Sequence, residues 1–468
     1  MNDIVSHSNR ILVCTLFLIT ASCQSDVVQQ SAITNVTVID AVHGARSNQT
    51  VIYENDRIVA VTSAEEPTTA ANQIDGSGKF LIPGLWDMHV HLTFDPRLSN
   101  VMPAMFLRYG ITSVRDTGGL LENILPIVAA MRAPQAIAPR VFFSGPLMDG
   151  EHVVYDGSSV PEIGIQNMSA EDAAANVAHL KQSGADFVKI YEMVSPEVFA
   201  AIAAAAHANE MPIAAHVPLS MMASDVAASV NSLEHLRNIE LDCAANADEL
   251  LDVRLDALRN EENLSGSTLR STLHDLQRTA AVEALDMERC KEVMVALRNV
   301  IQVPTAAMNT LSIWPHWERD DWAQAISILP KDVQLEWQEP PIWYIPDDNG
   351  PFRRFADHTL SMIAMMKSAS VPIGAGTDTP IARGIPGDSL HSELAVLVAG
   401  GLTPLEAIES ATVRPAEFFG IESKMGAIQE GMVADFVLLN ADPLLNISNT
   451  RAIEAVIFRG RLLEDGDD

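Results

Sequence analysis

Six residues in this chain have types and spacings that suit metal chemistry. The stretch Phe80–Leu92, FLIPGLWDMHVHL, is an apolar run that ends in a His-x-His pair, His89 and His91. Side chains alternate faces along a strand, so residues i and i+2 project the same way. Two imidazoles on one face at the end of a core strand suit a divalent metal. Lys189 stands inside DFVKIY, where a buried ammonium is costly unless it is paired or chemically changed. His216 closes AAHVP, His235 closes SLEHL, and Asp378 closes AGTDTP. Each has an ordinary alternative: a hydrogen-bonded core histidine, a snorkelling lysine, an aspartate capping a helix. Their shared position at the ends of apolar segments sets the group apart from its members.

Other side chains are candidates for contacts around such a centre. Tyr191 follows Lys189 by two residues and so faces the same side, where it would meet substrate or a developing oxyanion. His152, in GPLMDGEHVVYDG, is a candidate for substrate contact; His391, after AGTDTP, is expected at the pocket rim, and Arg383 in the same loop is a candidate to bind a substrate carboxylate. The ordinary readings are helix capping and packing for His391, and solvation for Arg383. Arg115 and Asp116 suit a structural salt bridge better than catalysis, Asp87 suits a supporting role, and His179 and His207 fall on polar helix faces.

Placing the six at one rim requires parallel strands. From Lys79 to about Gly420 short apolar segments alternate with helix-length ones, the pattern of a parallel sheet with helical crossovers. The expected strands are Leu81–His91, Ile111–Arg115, Arg140–Ser144, Phe187–Tyr191, Ile213–Val217, Ser232–His235, Val300–Pro304 and Val371–Thr377. Eight such strands fit a (β/α)8 TIM barrel, whose active site lies at the C-terminal strand ends. Alanine-rich helices are expected over Ala170–Gln182 and Pro196–Ala208. Residues 31–61 and the segments around 426–458 alternate like short antiparallel strands, and lone hairpins are marginal, so the two ends are expected to form one small β-sandwich domain. The expected division is a leader over 1–23, the small domain from 24–78 and 424–468, and the barrel over 79–423. Insertions near 240–299 and 312–356 follow strands six and seven and would emerge on the catalytic face. The second carries Trp314, Trp317, Trp322, Trp337 and Trp343, which favour a lid or a homo-oligomer contact over a linker.

The chain has 468 residues, 48% of them hydrophobic, which is enough for a large core. A formal charge of −31 argues against nucleic acid or anionic lipid as the main partner. Arg10 precedes ILVCTLFLITAS, a run too short to span a bilayer that ends in small residues before Cys23. This reads as an export signal, and Thr20-Ala21-Ser22-Cys23 is similar to a bacterial lipobox, making Cys23 the expected lipid anchor on a periplasmic or membrane-tethered protein. Setting Cys14 and Cys23 aside leaves Cys243 and Cys290 in helix-like sequence, where a single bridge is open to the chain but not favoured.

The motifs together resemble the metal-dependent amidohydrolase superfamily, in its imidazolonepropionase- and prolidase-like branch. The resemblance rests on PGLWDMHVHL (83–92), GITSVRDTGG (110–119), GADFVKIY (184–191), AAHVP (214–218), SLEHL (232–236), AGTDTP (375–380) and GAIQEGMVADFVLLNADPL (426–444). It implies a binuclear site in which a carboxylated Lys189 bridges two ions. His89, His91 and Asp378 would hold one ion, and His216 and His235 the other. Imidazole and carboxylate ligands suit zinc. The implied reaction is hydrolysis of an amide bond, in a dipeptide of the Xaa-Pro kind or an N-acyl amino acid, with Asp378 moving the proton. Lactone and phosphotriester hydrolases share such a site. From a different class, the alternative is a non-catalytic, metal-holding surface lipoprotein.

Overall fold

The computed structural model describes residues 29–260, 264–344, 346 and 349–463. The expected leader and Cys23 lie outside the described residues. Among the described residues no helix is long and apolar enough to cross a membrane. In chain order the strands are β1 (Ser31–Asp40), β2 (Gly44–Glu54), β3 (Arg57–Ser63), β4 (Asn72–Asp75) and β5 (Phe80–Pro83). Then follow β6 (Leu85–Val90), β7 (Ile111–Asp116), β8 (Arg140–Phe143), β9 (Leu147–Met148), β10 (Gly164–Ile165), β11 (Val188–Ile190), β12 (Ile213–Ala215), β13 (Ser232–Glu234) and β14 (Ile301–Val303). The last three are β15 (Phe436–Leu439), β16 (Ile453–Phe458) and β17 (Arg461–Leu462).

Both chain ends meet in one mixed sheet of eight strands, in the order β17-β16-β15-β5-β1-β2-β3, with β4 also on β1. The expected sandwich is therefore a single sheet. The reason is β5, which pairs parallel with β1 and antiparallel with β15 and so carries the hydrogen bonding across from one terminus to the other. Ile33, Val38, Val51, Leu81, Phe436 and Ile457 form its own apolar core.

The strand expected over Leu81–His91 is two strands. After Pro83 the chain changes partners: Gly84 N–H donates to Asp435 O in the terminal sheet, and Leu85 N–H donates to Gly110 O beside β7. From there the parallel strands succeed one another. β6 pairs with β7, β7 with β8, β9 with β11, β11 with β12, β12 with β13 and β13 with β14. Asp186 N–H donates to Phe143 O, which links β8 to the start of β11. Residues 371–379 pair with Gln302 through Ile373 on one side and with Val90 through Thr379 on the other. Gly376 makes that second approach close, since a Cβ there would lie 2.8 Å from His89 Cβ and 2.6 Å from Val303 Cγ1. Met88, Phe187, Ala214, Ile301, Val303 and Phe418 form one buried apolar cluster among these strands.

The helices form over Ala170–Gln182 and Pro196–Ala208, where the sequence places them. Each begins at a serine, Ser169 and Ser195, whose Oγ accepts from a first-turn amide. The first insertion folds into the helices Ala247–Asn260, Gly266–Glu283 and Met287–Ala296. It holds a correction: Cys243 and Cys290 form a disulfide. An antiparallel bridge from Ala244 to Leu285, with Asp286 N–H on Cys243 O, sets the two cysteine segments side by side. The sequence leaves that bridge open without favouring it, because the two cysteines fall in separate helix-like stretches. In the second insertion Trp322 and Trp337 are buried and Trp314 and Trp343 are exposed.

Candidate metal centre

Strand ends bring the six residues together. His89 and His91 sit at the end of β6, Lys189 on β11, His216 after β12, His235 after β13 and Asp378 in the segment that joins β14 to β6. All six line one small cavity with Tyr191, Tyr155, Arg237 and Ile381. Asp378 Oδ1 lies 3.3 Å from His89 Nε2 and 3.1 Å from His91 Nε2. Ligand atoms of these three residues fall within 4.8 Å of one another. The His235 ring packs 4.5 Å from the His89 ring and 4.6 Å from the His216 ring, measured between centroids.

The centre leaves two polar atoms without use. Lys189 Nζ and Asp378 Oδ1 are fully buried and have no hydrogen-bond partner among the described residues. A buried donor or acceptor left unpaired costs about 1–3 kcal/mol, and more for a charged group. Burial pushes the Lys189 ammonium down to about 8 from the ordinary 10.5, so the neutral amine is far easier to reach than in an exposed lysine. Four imidazoles, a carboxylate and an unpartnered amine around one cavity are a donor set that suits divalent cations.

Each histidine is held by a partner on its other nitrogen, the arrangement that orients metal-binding imidazoles. His89 Nδ1 is 2.7 Å from Glu234 Oε2, His216 Nδ1 is 2.7 Å from Glu192 Oε1, His235 Nδ1 is 2.7 Å from Thr305 Oγ1, and His91 Nδ1 is 3.3 Å from Gly118 O. Arg115 donates to Glu234 Oε1 at 2.8 Å, to Ser232 Oγ and to Met88 O. Its structural role is thus to Glu234, while Asp116 accepts from Leu92 N. Burial pushes the Glu234 carboxyl up, but Arg115 and Lys189 beside it outweigh this and hold it well below the usual range. Burial drives His216 down to about 3 and His235 well below the usual histidine value, so both rings are neutral and free to act as ligands. Asp87 accepts from Thr377 Oγ1 at 2.6 Å, from Thr377 N and from His89 N, and so fixes the backbone on either side of the cluster.

The backbone here is strained. His235, Leu236, Thr305 and Asp378 all have positive φ, at a cost of order 1–3 kcal/mol each. Asn309 Nδ2 donates to His235 O and Pro304 O and so ties two of these turns together.

Several residues of the centre went unassigned from sequence. Glu192 is fully buried and takes four partners: His216, Arg237 at 2.9 Å, Arg270 at 3.1 Å and His274 Nε2 at 2.6 Å. Arg270 and His274 stand one helical turn apart on Gly266–Glu283, so the first insertion reaches the centre from behind His216. Glu192 and Glu234 carried the same signal as Lys189, a charge in an apolar strand end.

The outer candidates separate. The Tyr191 ring lies 4.4 Å from the His216 ring and 5.7 Å from that of Tyr155, and it lines the cavity. His152 is half-buried and does not line it. His391 is a correction: it is buried away from the cavity, with Nδ1 2.9 Å from Thr450 Oγ1 and Nε2 3.0 Å from Tyr109 O. The helix that carries it turns its ring toward the C-terminal segment. Arg383 donates to Glu336 O at 2.7 Å on the wall of an adjoining groove.

The amidohydrolase family matches residues 80–463. The chain belongs to that family, as its motifs lead one to expect. Among curated relatives it is 41% identical to a dihydroorotase of Trichlorobacter lovleyi over 61 residues, 13% of this chain and 14% of that protein. It is 35% identical to an ochratoxinase of Aspergillus niger over 115 residues, 24% of this chain and 23% of that one. The matches thus span less than a quarter of either relative. The structure of a putative prolidase from Bifidobacterium longum superposes with a TM-score of 0.67 at 22% identity, covering 94% of this chain and 95% of the other. That likeness implies a TIM-barrel-like domain.

Proposed function

We propose that this protein is a binuclear metal-dependent hydrolase that cleaves an amide bond in a small substrate, a dipeptide or an N-acyl amino acid. The observation that carries the reading is Lys189: a buried amine with no partner, set among four histidines and Asp378. The Lys189 ammonium first loses a proton; the neutral amine then adds CO2 through a new N–C bond and releases a second proton to solvent, leaving a carbamate anion that would suit a site between two cations. On this reading His89, His91 and Asp378 would hold one ion, His216 and His235 the other, and a carboxylated Lys189 would be shared between them. The strand pairings support a closed (β/α)8 barrel with the centre at its C-terminal rim. When bound, two divalent ions, zinc by ligand preference, supply an acidified water and a polarised substrate carbonyl.

The chain's own groups do the rest. Asp378 is a buried carboxylate at the small cavity, with Oδ1 beside the Nε2 atoms of His89 and His91. It takes the proton from the attacking water and delivers it to the leaving nitrogen. Tyr191 lines the same cavity, and its hydroxyl, kept protonated by burial, would donate a hydrogen bond to the carbonyl oxygen as negative charge develops there. Glu234, Glu192 and Thr305 keep the imidazoles aimed. The amide specificity draws support from the prolidase-like fold and from the partial match to an ochratoxinase. Export is part of the proposal, supported by the leader sequence and by a buried disulfide that suits an oxidising compartment.

Elemental analysis of the purified protein is expected to find close to two metals per chain. The Lys189→Ala variant is expected to lose metal together with activity on a panel of dipeptides and N-acyl amino acids. One tightly held ion beside an unmodified Lys189 would sink the binuclear reading.

A further inference from the structure

The cavity at the centre is small, about 20 Å³, which is room for one or two waters. Any amide substrate must therefore extend beyond it. Next to it runs a groove of about 730 Å³. Ile381 lines both spaces. Phe94, on the groove wall, has its ring 6.2 Å from that of His91 and 6.2 Å from that of Tyr155, both of which line the cavity. The groove thus starts where the centre ends.

Its far wall comes from the second insertion. Trp337 is buried, and its carbonyl accepts from Trp322 Nε1 at 3.0 Å. Glu336 is strapped from two sides, by Arg97 at 2.9 Å from the loop after β6 and by Arg383 at 2.7 Å from the loop after residues 371–379. The wall is therefore formed before anything binds. At its lip Ile342 is 101% and Trp343 57% exposed, side chains that gain most from an apolar partner.

We propose that this groove is the specificity subsite of the enzyme, and that it receives a flat aromatic group of the substrate while the polar end lies at the metal centre. The lining sets the class: Phe94, Trp337, Ile342, Trp343 and Ile381 offer ring faces and apolar edges. The cations there are already engaged, Arg97 with Asp95 and Glu336 and Arg383 with Glu336. An aromatic dipeptide or an N-acyl aromatic amino acid fits this division, a refinement that rests on the amide-hydrolase reading for the bond cleaved but not for the binding.

The test uses the full-length holoenzyme with 4-phenylbutanoate and butanoate, which differ by a phenyl ring and hold no bond for a hydrolase to cut. Calorimetry is expected to give the phenyl compound at least about tenfold tighter binding. In the Ile342→Ala/Trp343→Ala double variant, with circular dichroism unchanged, that preference is expected to fall to about threefold or less. Equal affinity of the wild type for both compounds, or a preference that survives in the variant, overturns the proposal. So does a variant that dissociates into smaller species in sedimentation, because the groove would then be covered by a second copy. Turnover is read separately. A protein that prefers the phenyl compound yet cleaves no amide keeps the subsite and loses the amide reading; one that cleaves amides with no aromatic preference does the reverse.

Discussion

Lys189 shows what a single residue can reveal. A lysine inside an apolar strand conflicts with ordinary burial rules, and such conflicts are visible in sequence because they break a pattern. The four histidines and Asp378 were legible on the same grounds. Glu192 and Glu234 break the pattern equally, but their roles depend on which ring nitrogen they meet, and strand alternation does not supply that. Glu192 is the more exposed to test, since it balances Arg237, Arg270 and His274 as well as orienting His216. The Glu192→Gln variant is expected to bind metal about 10–100-fold more weakly, read by chelator competition. It should also lose about 3–5 kcal/mol of stability in urea unfolding, because buried cations are left without a counter-charge. Asp378→Asn keeps the shape of the side chain and removes the base. Its kcat is expected to fall about 10²–10⁴-fold, with much of the loss in the chemical step under single-turnover conditions.

At the scale of elements, helix positions followed from alanine-rich segments, and strand order from the alternation of strand and helix lengths; the serine caps at Ser169 and Ser195 emerged only in the structure. The break at Gly84 had its mark in Pro83-Gly84, a dipeptide that ends strands, but the apolar residues on both sides read as one continuous strand and hid the change of partner from β15 to β7. The insertions were legible as excess length, and only three-dimensional contact reveals what they reach. The first is closed by Cys243–Cys290, across 47 residues of sequence, and it carries Arg270 and His274 to Glu192. Releasing a loop of that size is expected to lower stability by about 2–4 kcal/mol. Thermal unfolding of the Cys243→Ser/Cys290→Ser variant checks this. Metal retention should fall with it, as the helix Gly266–Glu283 loses its tether. A variant that keeps full stability and full metal would show that the helix docks without the bridge.

At the scale of the whole molecule, the question is how the terminal segments stay on the α/β domain. Arg140 of β8 donates to Asp435 beside β15, and Asp388 is paired with both Arg319 of the second insertion and Arg451 of the C-terminal segment. His391 sits in the middle of this contact, between Thr450 and Tyr109 O. Burial, with Arg451 beside it, pushes its pKa down to about 3 from the ordinary 6.5. His316 nearby is pushed down to about 4, chiefly by burial. The sign of the pH effect follows. The folded state holds these rings neutral, whereas the unfolded chain takes up protons below pH 6.5. Stability from this source is therefore complete above 6.5 and declines as pH falls toward the folded values, by about 1.4 kcal/mol per pH unit for each group. Between pH 6.5 and 5, His391 alone accounts for about 2 kcal/mol. The His391→Gln variant retains a donor for Tyr109 O but cannot take up the proton. Its urea midpoint is expected to shift less between pH 7 and pH 5 than that of the wild type, with catalytic rates at pH 7 close to wild type because the ring does not line the cavity. A variant with the wild-type pH slope, or one that loses activity at pH 7 with its fold intact, would return His391 to the pocket rim and break the link between acid lability and the docking of the C-terminal segment.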